Sequence, residues 1–138
     1  MTGLMIAAVV VLFAVNLGSV LSGKGGLQTY LKYNEVKGIA VKHNNLLYTL
    51  NFQQQNDLIT FINESVPALS LNNGVRQPPD IEQIIIYQFG DKPDLVITPI
   101  TYLNNQLVYS MPQWDNKRPL MEMSNGQLRK LLSQTYDH

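Results

Sequence analysis

The chain has 138 residues, with ten Lys+Arg against ten Asp+Glu, two histidines and no cysteine, which bounds it at one domain plus an appendage. Hydrophobic residues make up 45% and charged residues only 14%, so the chain is neither a disordered polar polymer nor as charged as an ordinary soluble domain. A net charge of zero with no basic run excludes the electrostatic footprint of a nucleic-acid binder, and the lack of cysteine excludes disulfide scaffolds, thiolate nucleophiles and cysteine-based metal sites.

Gly3 to Ser22 reads GLMIAAVVVLFAVNLGSVLS without a charge. At about 1.5 Å per helical residue that is enough to cross a hydrocarbon core of about 30 Å. Asn16 is its one costly side chain; it lies toward the C-terminal end and can hydrogen-bond within a helix pair. Residues 1–22 therefore read as a single-pass transmembrane anchor. The alternative is a cleaved signal peptide, with an apolar core from Leu4 to Val15 and Val20-Leu21-Ser22 before Gly23, although the usual basic n-region is absent. Lys24, Lys32 and Lys37 follow the segment and no basic side chain precedes it, which places the C-terminal domain on the cytoplasmic or nucleoplasmic face.

Gly23-Lys24-Gly25-Gly26 reads as a flexible hinge, and the folded domain as residues 27–138. Leu27, Tyr30 and Leu31 fall at helical spacing, predicting a juxtamembrane helical turn over 27–33 with Tyr30 and Tyr33 near the headgroups. Val36–Val41 and Leu46–Phe52 read as strands joined at His43-Asn44-Asn45, where the asparagines suit a tight hairpin. The alternation assigns Leu46, Tyr48, Leu50 and Phe52 to the core face. Asn56 then caps a helix over 57–66, with Leu58, Ile59, Ile62 and Val66 on its apolar stripe, widened by Phe61, and Pro67 as its stop.

Residues 67–80 hold three prolines and Asn72-Asn73-Gly74, a loop signature. The unbroken run Ile84-Ile85-Ile86-Tyr87 within 81–89 predicts a central strand buried on both faces. Leu95–Leu103 follows as a strand in which Pro99 marks an edge or a bulge, then a second hairpin at Asn104-Asn105, and a strand over Leu107–Met111 stopped by Pro112. Ser124 with Gln127 forms a capping-box pattern before a helix carrying Leu128, Leu131, Leu132 and Tyr136 inward, with Arg129 and Lys130 toward water. The fold class is α+β: an anchor, then a mostly antiparallel sheet of about five strands with two packed helices.

Little here carries chemistry. His43 and His138 lack metal-ligand spacing, and no nucleophile motif is present. Gly18 to Lys24 matches most of a phosphate-binding loop, but Gly25 stands where the magnesium-binding Ser or Thr belongs. The carboxylate pairs Asp80/Glu82 and Asp91/Asp94 read as solvated loop charge. Trp114, beside Lys117 and Arg118, reads either as a lid over the core or as a grip for an acidic partner. Asn63-Glu64-Ser65 is a glycosylation sequon that the orientation keeps from the lumen.

Gly23-Lys24-Gly25-Gly26-Leu27 with Tyr30 resembles the membrane exit of small bacterial divisome proteins, but the heptads that continue those proteins are absent. The whole-chain layout, one N-terminal span with Lys24 and Lys32 just beyond it, resembles the per os infectivity factor 6 family of baculovirus occlusion-derived virion envelope proteins. That resemblance implies sorting to the host inner nuclear membrane, a virion-envelope location and a non-enzymatic part in oral infection of insect midgut cells. The expectation is thus a single-pass membrane subunit without enzymatic activity or cofactor. Its partners are membrane lipid and other membrane or envelope proteins, with no nucleic acid and no small-molecule substrate, and its candidate anchor and contact residues are Asn16, Lys24, Trp114, Lys117 and Arg118. The alternative is an exported binding or inhibitor domain released after Ser22, with an enzyme acting through Asp80, Glu82 or His43 a distant third.

Overall fold

The computed structural model of the protein describes residues 30–68, 74–114 and 118–137; the segments assigned to the anchor (1–22, with Asn16) and the hinge (23–26, with Lys24) lie outside them. Leu31 ties the start of the domain to its body. It is 4% exposed, and its backbone N–H and C=O are both held by the Asn63 side chain, at 2.8 and 2.9 Å. Residues 30–32 are not helical and a 3-10 turn over Tyr33–Glu35 follows; the rest of the helical turn expected over 27–33 lies outside the described residues.

β1 (Val36–His43) and β2 (Leu46–Thr49) form the first hairpin. Asn44 and Asn45 turn it at φ 53° and 66°, the left-handed region that asparagine tolerates better than other side chains. α1 is Phe52–Asn63. It starts earlier than the Asn56 cap predicts because Asn51 and Gln54 complete a reciprocal capping box: the Asn51 side chain accepts from the Gln54 N–H at 2.8 Å, and the Gln54 side chain accepts from the Asn51 N–H at 2.9 Å. That box ends the strand, so Phe52 is a helical residue, 77% exposed, and not a core strand residue. Leu46, at the turn, is exposed as well; of the four residues assigned to the core face, only Leu50 is fully buried.

β3 (Val66–Pro67) and β4 (Arg76–Gln77) are two-residue strands, too short for any periodic signal. β5 (Gln83–Gln88), β6 (Leu95–Leu103), β7 (Gln106–Ser110) and β8 (Leu120–Met121) complete the sheet, and α2 (Gln127–Tyr136) closes the chain. Every pairing is antiparallel, in the order β2-β1-β5-β6-β7-β8-β3 with β4 paired to β6. The fold is therefore α+β, with eight strands and two helices among the described residues rather than five strands.

β5 is internal, as its apolar run predicts, but it is not buried equally on both faces. Ile84 and Ile86 are inaccessible, in rows with Val41 and Ile97, and with Ile39 and Leu95; Ile85 and Tyr87 are half-buried. Both helices lie on the first face, where Leu58, Ile59, Ile62, Leu128, Leu131 and Leu132 join one continuous core.

Pro99 produces the bulge: the β6–β7 register shifts between Pro99 and Thr101. Leu95 and Ile97 point to the core before it. One extra residue inverts the period-two alternation, so Tyr102 points to the core after it and is fully buried.

α2 departs from the expected capping box. Gly126 holds the N-cap at φ 92° with no side-chain cap; Ser124 instead accepts from the Leu128 N–H at 2.8 Å. Upstream, the wholly buried Glu122 accepts from the Leu107 N–H at 3.0 Å and the Ser124 N–H at 2.7 Å. This carboxylate therefore joins the start of β7 to the approach of α2.

Candidate functional site

The antiparallel register gives the sheet two distinct ends. Val36, Gln88 and Leu95 lie at one; His43, Gln83 and Leu103 lie at the other. At about 3.3 Å per residue, β6 separates them by roughly 26 Å.

A polar clasp occupies the second end. The Asp80 carboxylate accepts from the Tyr102 hydroxyl at 2.8 Å and from the Tyr136 hydroxyl at 2.9 Å. Its backbone carbonyl accepts from His43 Nδ1 at 2.6 Å, which makes Nδ1 the protonated nitrogen, while Nε2 receives the Asn44 amide at 3.2 Å. His43 stacks on Tyr136 with ring centroids 3.6 Å apart and planes 16° from parallel, and Tyr48 tilts against both rings. The Arg129 guanidinium lies 4.2 Å from the centre of the Tyr102 ring and donates to Asn105 at 2.8 Å and to Gln77. Arg129 thus does not simply face water, and Asp80 is not a solvated loop charge.

This arrangement holds parts together and keeps its tyrosines in the neutral form. Burial, reinforced by the hydrogen bond to Asp80 and by its charge, pushes Tyr136 up to about 12 and Tyr102 higher still. Tyr109 is raised by burial too, against the opposing hydrogen bond to Ser65 Oγ at 2.8 Å. Phenols held neutral are hydrogen-bond donors rather than nucleophiles. Among the described residues no cluster of three or more His, Cys, Asp or Glu is arranged to hold a metal ion.

Glu82, the neighbour of Asp80, caps the first hairpin by accepting from the Asn44 and Asn45 N–H groups, both at 3.1 Å. The Asn45 bond is the main cause holding its pKa below the ordinary 4.5, with desolvation opposing and Asn44 adding. Glu35 is lowered too, chiefly by its hydrogen bond from Lys92. A depressed carboxyl contributes stability that is complete above the unfolded value of 4.5 and is lost as pH falls through the folded value. The melting temperature is therefore expected to decline below that pH. In thermal denaturation followed against pH, Glu82→Gln should flatten this acid limb; an unchanged slope would assign the decline to other groups.

The first end carries an aromatic rim. Tyr33, Val36, Lys37, Phe52, Gln55 and Phe89 line an open groove of 720 Å³. Phe52 is 77% exposed and Phe89 55%; Tyr30, next to the clamped Leu31, is exposed as well. The Gln55 side chain donates to the Val36 carbonyl, the Phe89 N–H to the Glu35 carbonyl, and the Tyr33 and Thr60 hydroxyls are bonded. These bonds fix the walls. Glu35 pairs with Lys92 and, at 4.0 Å, with Lys32.

Of the residues singled out in the sequence, Trp114 packs half-buried against the core from a 3-10 turn, Pro112–Trp114, and Arg118 is exposed; Lys117, like Asn16 and Lys24, lies outside the described residues. The sequon is closed in the fold. Asn63 spends its amide on Leu31, and Ser65 is buried, donating to the Phe61 carbonyl. Sequence reading missed the rim because alternation placed Phe52 inside, and missed the clasp because its members are far apart in the chain. No protein-family model, no curated protein and no solved structure matches the chain. Among the described residues no helix is long and apolar enough to cross a membrane.

Proposed function

We propose that this protein is a single-pass, membrane-anchored subunit of a membrane or viral-envelope complex, in which residues 1–22 form the anchor and the α+β domain binds partner proteins without chemistry of its own. The observation that carries the reading is the uncharged stretch Gly3–Ser22, long enough to span a bilayer and followed by lysines. The commitment of Asp80, His43, Tyr102 and Tyr136 to one another supports a binding role over a catalytic one.

The helix-free face of the sheet supports it further. Ala40, Ile85 and Val96 form a cross-strand row there, Tyr87 lies beside it opposite Gly38, and Leu47 is exposed opposite Lys42 on the edge. Such a face, apolar at its centre and polar at its rim, suits a protein partner. The shared layout with the per os infectivity factor 6 family extends the proposal to an occlusion-derived virion envelope and a part in oral infection.

Affinity purification from native membranes after lysine-directed cross-linking tests this. Lys42, on that face, should cross-link to a membrane or envelope protein. A chain that runs as a lone monomer in detergent, with no cross-linked partner, would contradict the proposal.

A further inference from the structure

We infer that the aromatic rim rests in the headgroup layer of the membrane that carries the anchor, docking the domain with its Phe52–Phe89 end against lipid and its Asp80 end pointing away. This rests on the anchor reading above and goes beyond it by fixing which end of the domain meets the bilayer.

The attachment point comes first. Leu31 is locked to α1 through both of its backbone polar groups, so the chain enters the described part of the domain at a fixed place, beside Tyr30. Ser22 is eight residues earlier in the sequence. Fully extended, that stretch reaches at most about 29 Å, so the bilayer lies within one domain's width of Tyr30. The residues just after that point form the rim itself, since Tyr33 and Val36 line the groove.

The chemistry of the surface matches that position. Isolated exposed apolar residues are ordinary, but Tyr30, Tyr33, Phe52 and Phe89 are all about half exposed or more, and three of them line one groove. Aromatic rings are the side chains that settle at the lipid–water boundary, and lysines beside them reach the phosphates. Lys32, Lys37 and Lys92 supply these around a single Glu35, with Asp91 and Asp94 in the turn that adjoins Lys92. Among the described residues the opposite end has no exposed aromatic ring. It presents the aliphatic Leu46, Leu47 and Val75 with the two Asn-Asn turns, Glu82 and the clasp.

The absence of cysteine allows single fluorescent labels on the full chain. Asn34→Cys lies in the groove, and Arg76→Cys lies beside Leu103 at the far end of β6. With the chain reconstituted in phosphatidylcholine–phosphatidylserine vesicles that contain a shallow nitroxide lipid, quenching at residue 34 should exceed that at residue 76 at least about twofold, because interfacial groups sit within roughly 5–10 Å of the boundary. Phe52→Ser with Phe89→Ser, two exposed positions whose change spares the core, should bring the ratio to one while near-ultraviolet circular dichroism stays native. Equal quenching in the parent chain, with the protein still resistant to alkaline extraction, overturns the docking inference alone; loss of the protein from the vesicles on alkaline extraction overturns the anchor and this inference together.

Discussion

Replacing Asp80 with alanine should lower the stability of the domain by about 2–4 kcal/mol, the largest effect expected of any single change in the clasp. The carboxylate accepts from two tyrosine hydroxyls, and one of them, Tyr102, has no access to water. Losing a charged acceptor removes about 1.5–3 kcal/mol of hydrogen bonding, and a buried hydroxyl left without a partner adds about 1–3 kcal/mol for its desolvation. Tyr136 recovers part of its loss because it is only half-buried and water can reach it. Against a stability of about 5–15 kcal/mol for a domain of this size, the melting temperature should fall on the order of 10 °C. Asp80→Asn keeps one carbonyl oxygen and should cost less. A double-mutant cycle with Tyr102→Phe should show coupling of at least about 1 kcal/mol. Additive losses would mean that the hydroxyl and the carboxylate do not depend on each other.

Glu122 leads to the second large effect. Its two oxygens receive two backbone N–H groups, from Leu107 and Ser124, while its own N–H donates to the Leu107 carbonyl at 3.0 Å. Glu122→Ala leaves both donors without an acceptor in a site that no solvent reaches, and should cost about 3 kcal/mol or more. Glu122→Gln discriminates further. An amide has one acceptor oxygen and one NH2, so one backbone donor would face another donor. Chemical denaturation should therefore show Glu122→Gln destabilised by about 1–3 kcal/mol despite its matching shape. A Gln variant as stable as the parent would show that the second oxygen is not needed.

Where local chemistry decides the backbone, the sequence is readable. Both Asn-Asn hairpins form where the pairs stand, because asparagine accepts positive φ at two successive positions. Leu95–Leu103 forms over the residues expected, and Pro99, which cannot donate to the ladder, makes the bulge. The leucines of α2 go inward as their spacing requires. Local signals in competition were read less well. Leu46, Tyr48, Leu50 and Phe52 alternate as a strand should, but the Asn51–Gln54 box satisfies two helix-end donors and turns the chain before Phe52. Strands of two residues carry no period, which is why five were expected and eight form.

The candidate sites were legible only in part. Asp80, His43, Tyr102 and Tyr136 are brought together by the loop before β5 and three separate elements, and the inward placement of Tyr102 depends on a parity change inside a strand. The rim, similarly, joins the residues before β1 to the start of α1 and the residue after β5. Spacing along the chain holds no trace of either.

That the apolar opening segment is retained and sits in lipid is the claim on which the reading of function depends. Intact mass spectrometry of the protein recovered from native membranes after alkaline washing tests it most directly. The pelleted chain should carry the mass of the full sequence, with Gly3–Ser22 still attached. A soluble species beginning at Gly23, left in the supernatant, would contradict it and would instead mark the domain as one released after Ser22.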